Sequence, residues 1–182
     1  MTSFSKLAQA SALALLSLSA ISASAQTAPS KIYGEVGYSM LSYKEAGYKA
    51  DPGILRAVIG TEIHPNVNLE GMIGVGVTDG TTRVGNVTVT SQVDQFWGLY
   101  VRPKVMLSPD VELFGRVGYA SSKITASVPG YALSDSGNSV SYGAGVSFKV
   151  AQNTSVVADY MSYYSKNGVK ATGFTVGLGF KF

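Results

Sequence analysis

The sequence predicts an all-β fold in which eight antiparallel strands close into an up-and-down barrel. Three observations predict it. Apolar and polar residues alternate over eight separate stretches, tight turns and longer polar segments alternate between those stretches, and the chain is poor in charge. Only 14% of its 182 residues are charged and 21 are glycine, whereas an ordinary soluble domain has about 25% charged residues. Strict alternation is the signal of a strand whose two faces meet different surroundings.

The first segment has the layout of a secretory signal peptide. One cation, Lys6, precedes an apolar stretch from Leu7 to Ser22, and the small residues Ala23-Ser24-Ala25 follow it. We therefore predict a signal peptide over residues 1–25 and one barrel domain over residues 26–182. The body contains no cysteine and no apolar run long enough for a spanning helix, which excludes a disulfide scaffold and a helical membrane protein.

The eight alternating stretches run, in chain order, over Ile32 to Met40, Leu55 to Ile63, Val67 to Val77, Asp94 to Leu107, Val111 to Tyr119, Val140 to Val150, Val156 to Tyr164 and Phe174 to Phe182. Pro103 interrupts the fourth stretch, where it would remove one ladder hydrogen bond, and this predicts a bulge.

The connections differ in length on the two sides of the predicted sheet. Tight turns follow the even strands at His64-Pro65-Asn66, Ser108-Pro109-Asp110 and residues 151–154, and polar loops are predicted over about 42–52, 78–93, 121–139 and 165–168. An even strand number with short turns on one side and longer loops on the other is typical of a bacterial outer-membrane barrel with both chain ends in the periplasm. A barrel of eight strands is among the smallest, and its interior is just wide enough to be filled by side chains.

Charged residues on the strands all fall on the polar faces. These twelve residues are Glu35, Arg56, Glu62, Glu70, Asp94, Arg102, Lys104, Glu112, Arg116, Lys149, Asp159 and Lys181. Six are basic and six acidic, so we expect them to pair across the lumen, because an unpaired buried charge is costly. Glycines share these faces and are expected to make room for the long Arg and Glu side chains: Gly37, Gly60, Gly74, Gly76, Gly98, Gly118, Gly143, Gly145, Gly177 and Gly179. The pattern predicts a plugged core rather than an open pore.

The same alternation fits a soluble lipocalin-like barrel with its apolar faces inward. That alternative exposes too few charges on its strand surface. Aromatic residues also lie at both ends of the apolar faces, as expected at two membrane interfaces. The predicted loop-side girdle is Tyr38, Trp97, Tyr119, Tyr142, Tyr164 and Phe174, and the turn-side residues are Phe148, Phe180 and Phe182. These features favour a transmembrane β-barrel.

Four phrases resemble a known family. Gly60 to Gly71, Leu113 to Tyr119, Ser141 to Lys149 and Asn153 to Tyr160 are similar to the hairpin phrases of the OmpA and opacity-protein-like outer-membrane β-barrel family. The resemblance implies an eight-stranded barrel of the outer membrane, with roles in envelope integrity, adhesion or slow leakage. The end of the chain resembles the family's C-terminal assembly signal, read by the barrel assembly machinery, through Phe174, Val176, Leu178, Phe180 and Phe182. The peptidoglycan-binding domain of full-length OmpA proteins is expected to be absent.

No catalytic residue, metal site or cofactor is predicted. His64 is the single histidine, and a turn before Pro65 is a poor place for the base of a lipid A deacylase, which needs a nucleophile beside it near the outer leaflet. Glu62 and Glu70 are better explained as ion-pair partners than as an acid–base pair. The loop cations are too scattered for nucleic acid; Lys44, Lys49 and Lys123 are candidates for contact with lipopolysaccharide phosphates.

The sequence thus predicts a non-enzymatic protein of the bacterial outer membrane that displays extracellular loops for envelope structure or surface interaction. The alternatives are a narrow passive channel for small solutes and, third, a lipid-modifying barrel enzyme. Expected partners are outer-membrane lipids, lipopolysaccharide and, during biogenesis, the assembly machinery. A monomer is expected.

Overall fold

The computed structural model describes residues 31–45, 48–84, 87–128, 131–166 and 169–182. The predicted signal peptide lies outside them. Ten strands are β1 (Ile32–Glu45), β2 (Tyr48–Ala50), β3 (Gly53–His64), β4 (Val67–Thr78), β5 (Gly80–Val84), β6 (Val87–Ser108), β7 (Val111–Val128), β8 (Tyr131–Ala151), β9 (Thr154–Lys166) and β10 (Val169–Lys181). The described part of the chain contains no helix long and apolar enough to cross a membrane.

Eight of these strands form a closed antiparallel barrel. Each pairs with its neighbour along the chain, in the order β1, β3, β4, β6, β7, β8, β9 and β10. The last strand returns to the first, from Tyr33 opposite Lys181 to Lys44 opposite Lys170. This pairing gives hydrogen-bond partners to the backbone groups along the two edges of the sheet, which is necessary for a sheet surrounded by lipid. The predicted eight-stranded barrel is confirmed, and β2 and β5 are short additions to it.

The two faces of the sheet carry the residues that the alternation predicted. On β1, Met40 is 57% exposed on the outside, whereas its neighbour Ser39 is fully buried inside. The same contrast recurs around the barrel, for example between Leu99 outside and Tyr100 inside. The apolar face therefore points outward and the lipocalin-like alternative is wrong.

Four strands continue beyond the barrel wall as one sheet. The pairing of β6 with β4 ends at Phe96 opposite Gly74, and the pairing of β8 with β9 begins at Tyr142 opposite Ser162. Beyond these points β5 to β8 stay paired with one another. We call β5 with residues 87–92, 121–128 and 131–138 the protruding sheet. The predicted loops over 78–93 and 121–139 are wrong, because backbone ladders in these polar segments continue as β-hairpins.

Pro103 does not sit at a bulge. The β6–β7 ladder passes from Val101 opposite Val117 to Lys104 opposite Phe114 without a change of register. Pro103 itself stays opposite Val67 in β4. Pro103 lacks a backbone N–H donor, but no extra residue is inserted into the strand beside it, so the predicted bulge is wrong. In the β6–β7 ladder the register shifts lie instead between Val93 and Gln95 and between Met106 and Ser108.

The lumen glycines mostly make room for aromatic rings and for close strand approach. A Cβ at Gly60 would lie 2.3 Å from the Tyr33 ring, and one at Gly145 would lie 2.5 Å from the ring of Phe114. A Cβ at Gly118 would lie 2.0 Å from the Leu99 carbonyl oxygen of the neighbouring strand. We expected the glycines to make room for Arg and Glu side chains directly. Instead, aromatic rings mostly occupy the space beside the glycines, and charged side chains such as Arg102 pack against those rings.

Candidate functional site

The turn-side half of the lumen holds a cluster of buried ions contributed by six barrel strands. We call Glu35, Arg56, Glu70, Arg102, Glu112, Arg116 and Asp159 the ion cluster. Alternation places each of these side chains on the inner face. Three guanidinium groups thus meet three buried carboxylates and the part-buried carboxylate of Glu112.

Arg116 of β7 is the centre of the ion cluster, and its side chain is completely inaccessible. Its Nε donates to Glu70 Oε2 at 2.6 Å, one terminal nitrogen donates to Asp159 Oδ2 at 2.6 Å, and the other donates to Glu35 Oε2 at 2.5 Å. The three carboxylates come from β4, β9 and β1. One side chain therefore links four strands across the lumen.

Arg102 of β6 lies nearer the turn side. It donates to Glu35 Oε1 at 2.6 Å, to Glu70 Oε1 at 3.0 Å and to Glu112 Oε1 at 2.8 Å. Its guanidinium carbon lies 3.7 Å from the centroid of the Phe114 ring, a cation–π distance. The ring therefore adds a cation–π contact to the buried guanidinium beside its three carboxylate partners.

Arg56 of β3 completes the ion cluster towards the loop side. It binds both carboxylate oxygens of Asp159, at 3.0 and 2.5 Å, and donates to the Tyr163 hydroxyl at 3.0 Å. This two-point arginine–carboxylate geometry is among the stronger charge-assisted contacts in proteins. Asp159 accepts from both Arg56 and Arg116, so it connects the two arginines.

The turn-side mouth of the barrel contains an open cavity of about 380 Å³ below Arg102. Lys104 donates to Glu62 Oε2 at 2.9 Å there. Lys149 and Lys181 also line the cavity, are exposed, and form no ion pair among the described residues. Their strand positions are at the ends of β8 and β10, where long side chains reach water, so the expectation that they pair across the lumen is wrong.

Asp94 lies at the opposite end of β6 and also stands apart from the ion cluster. It is half-buried, and its Oδ2 accepts a hydrogen bond from Thr125 of β7 at 2.7 Å. It forms no ion pair within the described part of the chain. We expected Asp94 to pair with a cation across the lumen, and this expectation is wrong: its carboxylate is hydrogen-bonded to the Thr125 hydroxyl instead.

Towards the loop side the lumen is mostly apolar, although the buried hydroxyls of Ser39, Ser141 and Thr175 hydrogen-bond to tyrosines there. The buried hydrophobic residues of this half form one cluster of Leu41, Ile54, Val58, Met72, Val93, Phe96, Tyr100, Ala120, Met161 and Tyr163. The rings of Phe96 and Tyr163 meet edge to face at 5.1 Å. We call this set the apolar cluster. The sequence predicted a polar interior throughout, and this half corrects that prediction.

The loop-side aromatic girdle is largely where it was predicted. Tyr38, Trp97, Tyr119 and Tyr142 are each 43% to 56% exposed on the outer face. Tyr164 is the exception: the β9–β10 register shifts next to Ala171, and Tyr164 lines a small pocket at the loop-side end of the lumen with Leu41 and Phe96. That prediction is wrong because the bulge reverses the alternation.

Four of the predicted assembly residues lie along the outer face of β10, and Phe182 follows immediately after the strand. Phe174, Val176 and Leu178 are 42% to 48% exposed, and Phe180 and Phe182 are half-buried. Their strand pairs with β1 and closes the barrel.

Sequence reasoning missed the neutral partners of the ion cluster. Tyr33 donates to Glu70 Oε1 and accepts from Asn68 at 3.1 Å. Tyr33 and Asn68 both lie on the inner faces of their strands, beside the predicted ions Glu35 and Glu70, so alternation alone was enough to find them. Tyr163 has the same parity as Asp159 and Met161 on β9, so alternation alone was enough to place it inside as well.

The closed barrel, its apolar outer face and its ion-filled lumen define an integral membrane protein of the β-barrel class. A family model described as the outer membrane protein beta-barrel domain matches residues 11–182. The chain belongs to this family and is a protein of the bacterial outer membrane with surface-exposed loops.

Individual relatives agree with this membership. The chain is 27% identical over 154 residues to the attachment invasion locus protein of Yersinia enterocolitica, covering 81% of this chain and 83% of that one. The crystal structure of Ail, the corresponding protein of Yersinia pestis, matches with a TM-score of 0.63 at 22% identity, over 85% of this chain and all of that one. Neisserial surface protein A matches with a TM-score of 0.67 at 13% identity, over 86% and 100%. At these identities the two structures show the fold.

Proposed function

We propose that the protein is a non-enzymatic, non-conducting membrane anchor that holds the protruding sheet at the cell surface for contact with other molecules. The observation that carries the proposal is the fully buried Arg116, which bridges carboxylates from three other strands. An anchor of this kind needs a rigid, closed wall and an outward-facing platform. It does not need a continuous aqueous path.

Two barriers in series support a closed lumen. In the turn-side half, moving a solute past Arg116 requires separating paired ions in a low-dielectric interior, which is energetically costly. In the loop-side half, the apolar cluster fills the lumen, and the hydroxyls of its Tyr100 and Tyr163 are already hydrogen-bonded to Ser141 and Arg56, so a passing ion or sugar would lose its hydration among mostly apolar side chains. A channel would need both barriers to open together.

The protruding sheet supports the contact role. β7 and β8 remain paired as far as Val128 opposite Tyr131, well beyond the barrel wall. A paired sheet presents side chains in fixed positions, which lowers the entropy lost on binding. The name of the Yersinia enterocolitica relative assigns attachment and invasion to that protein, and we extend surface attachment to this chain as part of the proposal.

His64 gives an enzymatic role no support. Its side chain is exposed at the last residue of β3, beside the turn to β4, where Nδ1 accepts from the Asn66 backbone N–H at 3.3 Å. This turn lies at the end of the barrel opposite the protruding sheet. We therefore assign His64 a role in the turn.

Planar-bilayer recording of the purified protein tests the closed lumen. We expect a flat baseline from the wild type. The matched variant is Glu35→Gln with Glu70→Gln, which leaves Arg116 two carboxylates short and should raise the frequency of openings. Discrete, reproducible openings by the wild type would instead establish the narrow passive channel.

We also propose that β10 carries the signal for assembly. Removing Phe182 should lower the amount of folded protein in the outer membrane, and replacing it with Tyr should leave that amount unchanged because the terminal aromatic is kept. Equal outer-membrane levels of the deletion and the wild type would remove the assembly role from this residue.

A further inference from the structure

The turn-side mouth of the barrel carries more cations than its ion pairs use. Four lysines line the open cavity there: Lys31, Lys104, Lys149 and Lys181. Lys104 pairs with Glu62, whereas the other three lysines are exposed and form no ion pair among the described residues. Among the acidic residues that the structure describes in the cavity lining, Asp110 alone is likewise without an ion pair. The mouth therefore attracts anions.

Asn68 and Arg102 line the inner end of this cavity. Asn68 of β4 lies directly opposite Arg102 of β6, and both residues are 3% exposed. Asn68 Nδ2 donates to the Tyr33 hydroxyl, and the two terminal nitrogens of Arg102 donate to carboxylates. Asn68 Oδ1 and Arg102 Nε, in contrast, have no hydrogen-bond partner within the described part of the chain. The inner end thus has one unused acceptor and one unused donor.

Both unused atoms are exceptions in an otherwise fully bonded interior. Nearly all buried polar side-chain atoms of native proteins have a partner, because an unmade hydrogen bond in the interior is costly. In the described residues, Asn68 Oδ1 and Arg102 Nε are the two buried side-chain atoms that depart from this rule, and both belong to residues of the cavity lining. A ligand that brings an acceptor and a donor to the inner end would complete both bonds.

The unused groups define the chemistry of such a ligand. Lysine ammonium groups are compact charges that suit phosphate, whereas the planar fork of arginine matches a carboxylate best. The unused acceptor, Asn68 Oδ1, requires a donor that an ionised phosphate lacks, and a hydroxyl group supplies it. The cavity volume of about 380 Å³ lies at the lower end of the range for small-molecule sites, about 300–1,000 Å³. These features fit a small phosphate ester with free hydroxyl groups.

We propose that the turn-side mouth binds a soluble, hydroxyl-bearing phosphate ester, such as a sugar phosphate, that enters from the periplasm. The phosphate lies among Lys31, Lys149 and Lys181, and the hydroxyl groups lie at the inner end beside Asn68 and Arg102. The short turns of an outer-membrane barrel are on the periplasmic side, so the ligand reaches the site without crossing the barrel. The site is at the end opposite the protruding sheet and is independent of the proposed surface role.

Phosphorus NMR titration tests the site, with glucose-6-phosphate as the probe and the folded full barrel in neutral detergent micelles without phosphate buffer. We expect the wild type to bind glucose-6-phosphate more tightly than inorganic phosphate, because inorganic phosphate brings no hydroxyl-bearing sugar to the inner end. Equal affinity for the two phosphates would show an adventitious ion only and would overturn the proposal. Failure of both to bind would overturn it as well.

The variant Lys149→Gln with Lys181→Gln removes two of the three unpaired lysines. Each lost charged contact should weaken binding about tenfold, so the double variant should lose about 100-fold. The matched control is Lys44→Gln with Lys170→Gln, which removes the same charge from exposed lysines at the loop-side end and should bind as the wild type does. Equal affinities of the two double variants would mean that net charge alone attracts the probe, and the site would be rejected.

Asn68→Leu tests the inner end of the cavity. It removes the unused acceptor and should weaken glucose-6-phosphate binding about fivefold, while the affinity for inorganic phosphate stays at the wild-type value. A general loss of structure would lower both affinities, and heat-modified gel mobility establishes that each variant is folded. An unchanged affinity for glucose-6-phosphate would overturn the role of the hydroxyl groups.

A lipid headgroup carries similar chemistry, so the source of the phosphate needs its own test. The titration is repeated in phosphatidylcholine nanodiscs with and without phosphatidylglycerol, whose headgroup has both a phosphate and hydroxyl groups. We expect glucose-6-phosphate to bind in both. Complete loss of its binding in the presence of phosphatidylglycerol would assign the mouth to a lipid headgroup and overturn the soluble ligand.

Discussion

The two halves of the lumen fill the same cross-section with opposite chemistry. On the turn side, three arginines are held by carboxylates from neighbouring and opposite strands. On the loop side, Met161, Ile54 and Phe96 pack against one another with no ions among them. Ion pairs of this kind fix which groups must meet, while apolar packing excludes water without such demands. We call the turn-side half, where ion pairs determine which strands meet, the specifying half. We call the loop-side half, where apolar packing excludes water, the sealing half.

Replacing Arg116 with Met should have the largest effect on this contrast. The substitution leaves Glu35, Glu70 and Asp159 buried with fewer partners, and breaking a buried ion pair from one side costs about 3–5 kcal/mol. Equilibrium urea unfolding in lipid vesicles measures the loss. Because acid neutralises the orphaned carboxylates, the deficit should shrink as the pH is lowered.

Arg116→Lys is the control for that experiment. It keeps the charge and loses the fork geometry, so it should recover part of the stability. A deficit for Arg116→Met below about 1 kcal/mol would show that the ion cluster does not specify the fold.

Replacing Met161 with Ala should be the next largest change, and it affects the sealing half. Met161 is fully buried, and removing such a side chain costs about 2–3 kcal/mol through lost burial and the cavity left behind. The same unfolding assay should give a deficit that does not vary with pH, in contrast to Arg116→Met. A pH-dependent deficit would mean that the two halves are coupled rather than separate.

A methyl group at Gly118 tests the boundary between the halves. A Cβ there would lie 2.0 Å from the Leu99 carbonyl oxygen and 2.7 Å from Tyr100 Cδ1. Backbone cannot move aside easily, so Gly118→Ala should cost about 1–3 kcal/mol. Gly115→Ala is the matched control on the same strand, since its nearest contact would be Pro103 Cγ at an ordinary 3.5 Å. Equal unfolding midpoints for the two variants would contradict the close approach of β6 and β7.

The smallest effect is expected at the turn-side mouth. Lys104 pairs with Glu62, whose side chain is 31% exposed, and such partly solvated pairs contribute under about 1 kcal/mol. Lys104→Met should therefore shift the unfolding midpoint little, and less in high salt. A loss as large as that of Arg116→Met would extend the specifying half down to the mouth.

Much of the architecture was predictable because alternation is a local property. The outward position of Leu99 and the inward position of Arg116 follow from strand parity alone. Tyr164 shows the limit: a bulge in β9 reverses parity at that residue, and no local pattern announces it. The protruding sheet was also missed, since polar hairpins and polar loops have similar composition, and long-range pairing decides between them.

The sequence by itself determined the number of barrel strands, the lipid-facing surface and which charged residues point inward, because a period of two and a scarcity of charge need no knowledge of neighbours. Only the tertiary structure decided which ions meet. Strand register brings Arg116 to Glu35, Glu70 and Asp159, leaves Lys149 and Lys181 at the mouth, and sets Lys44 beside Lys170. Residues far apart in the chain become neighbours only once the barrel closes.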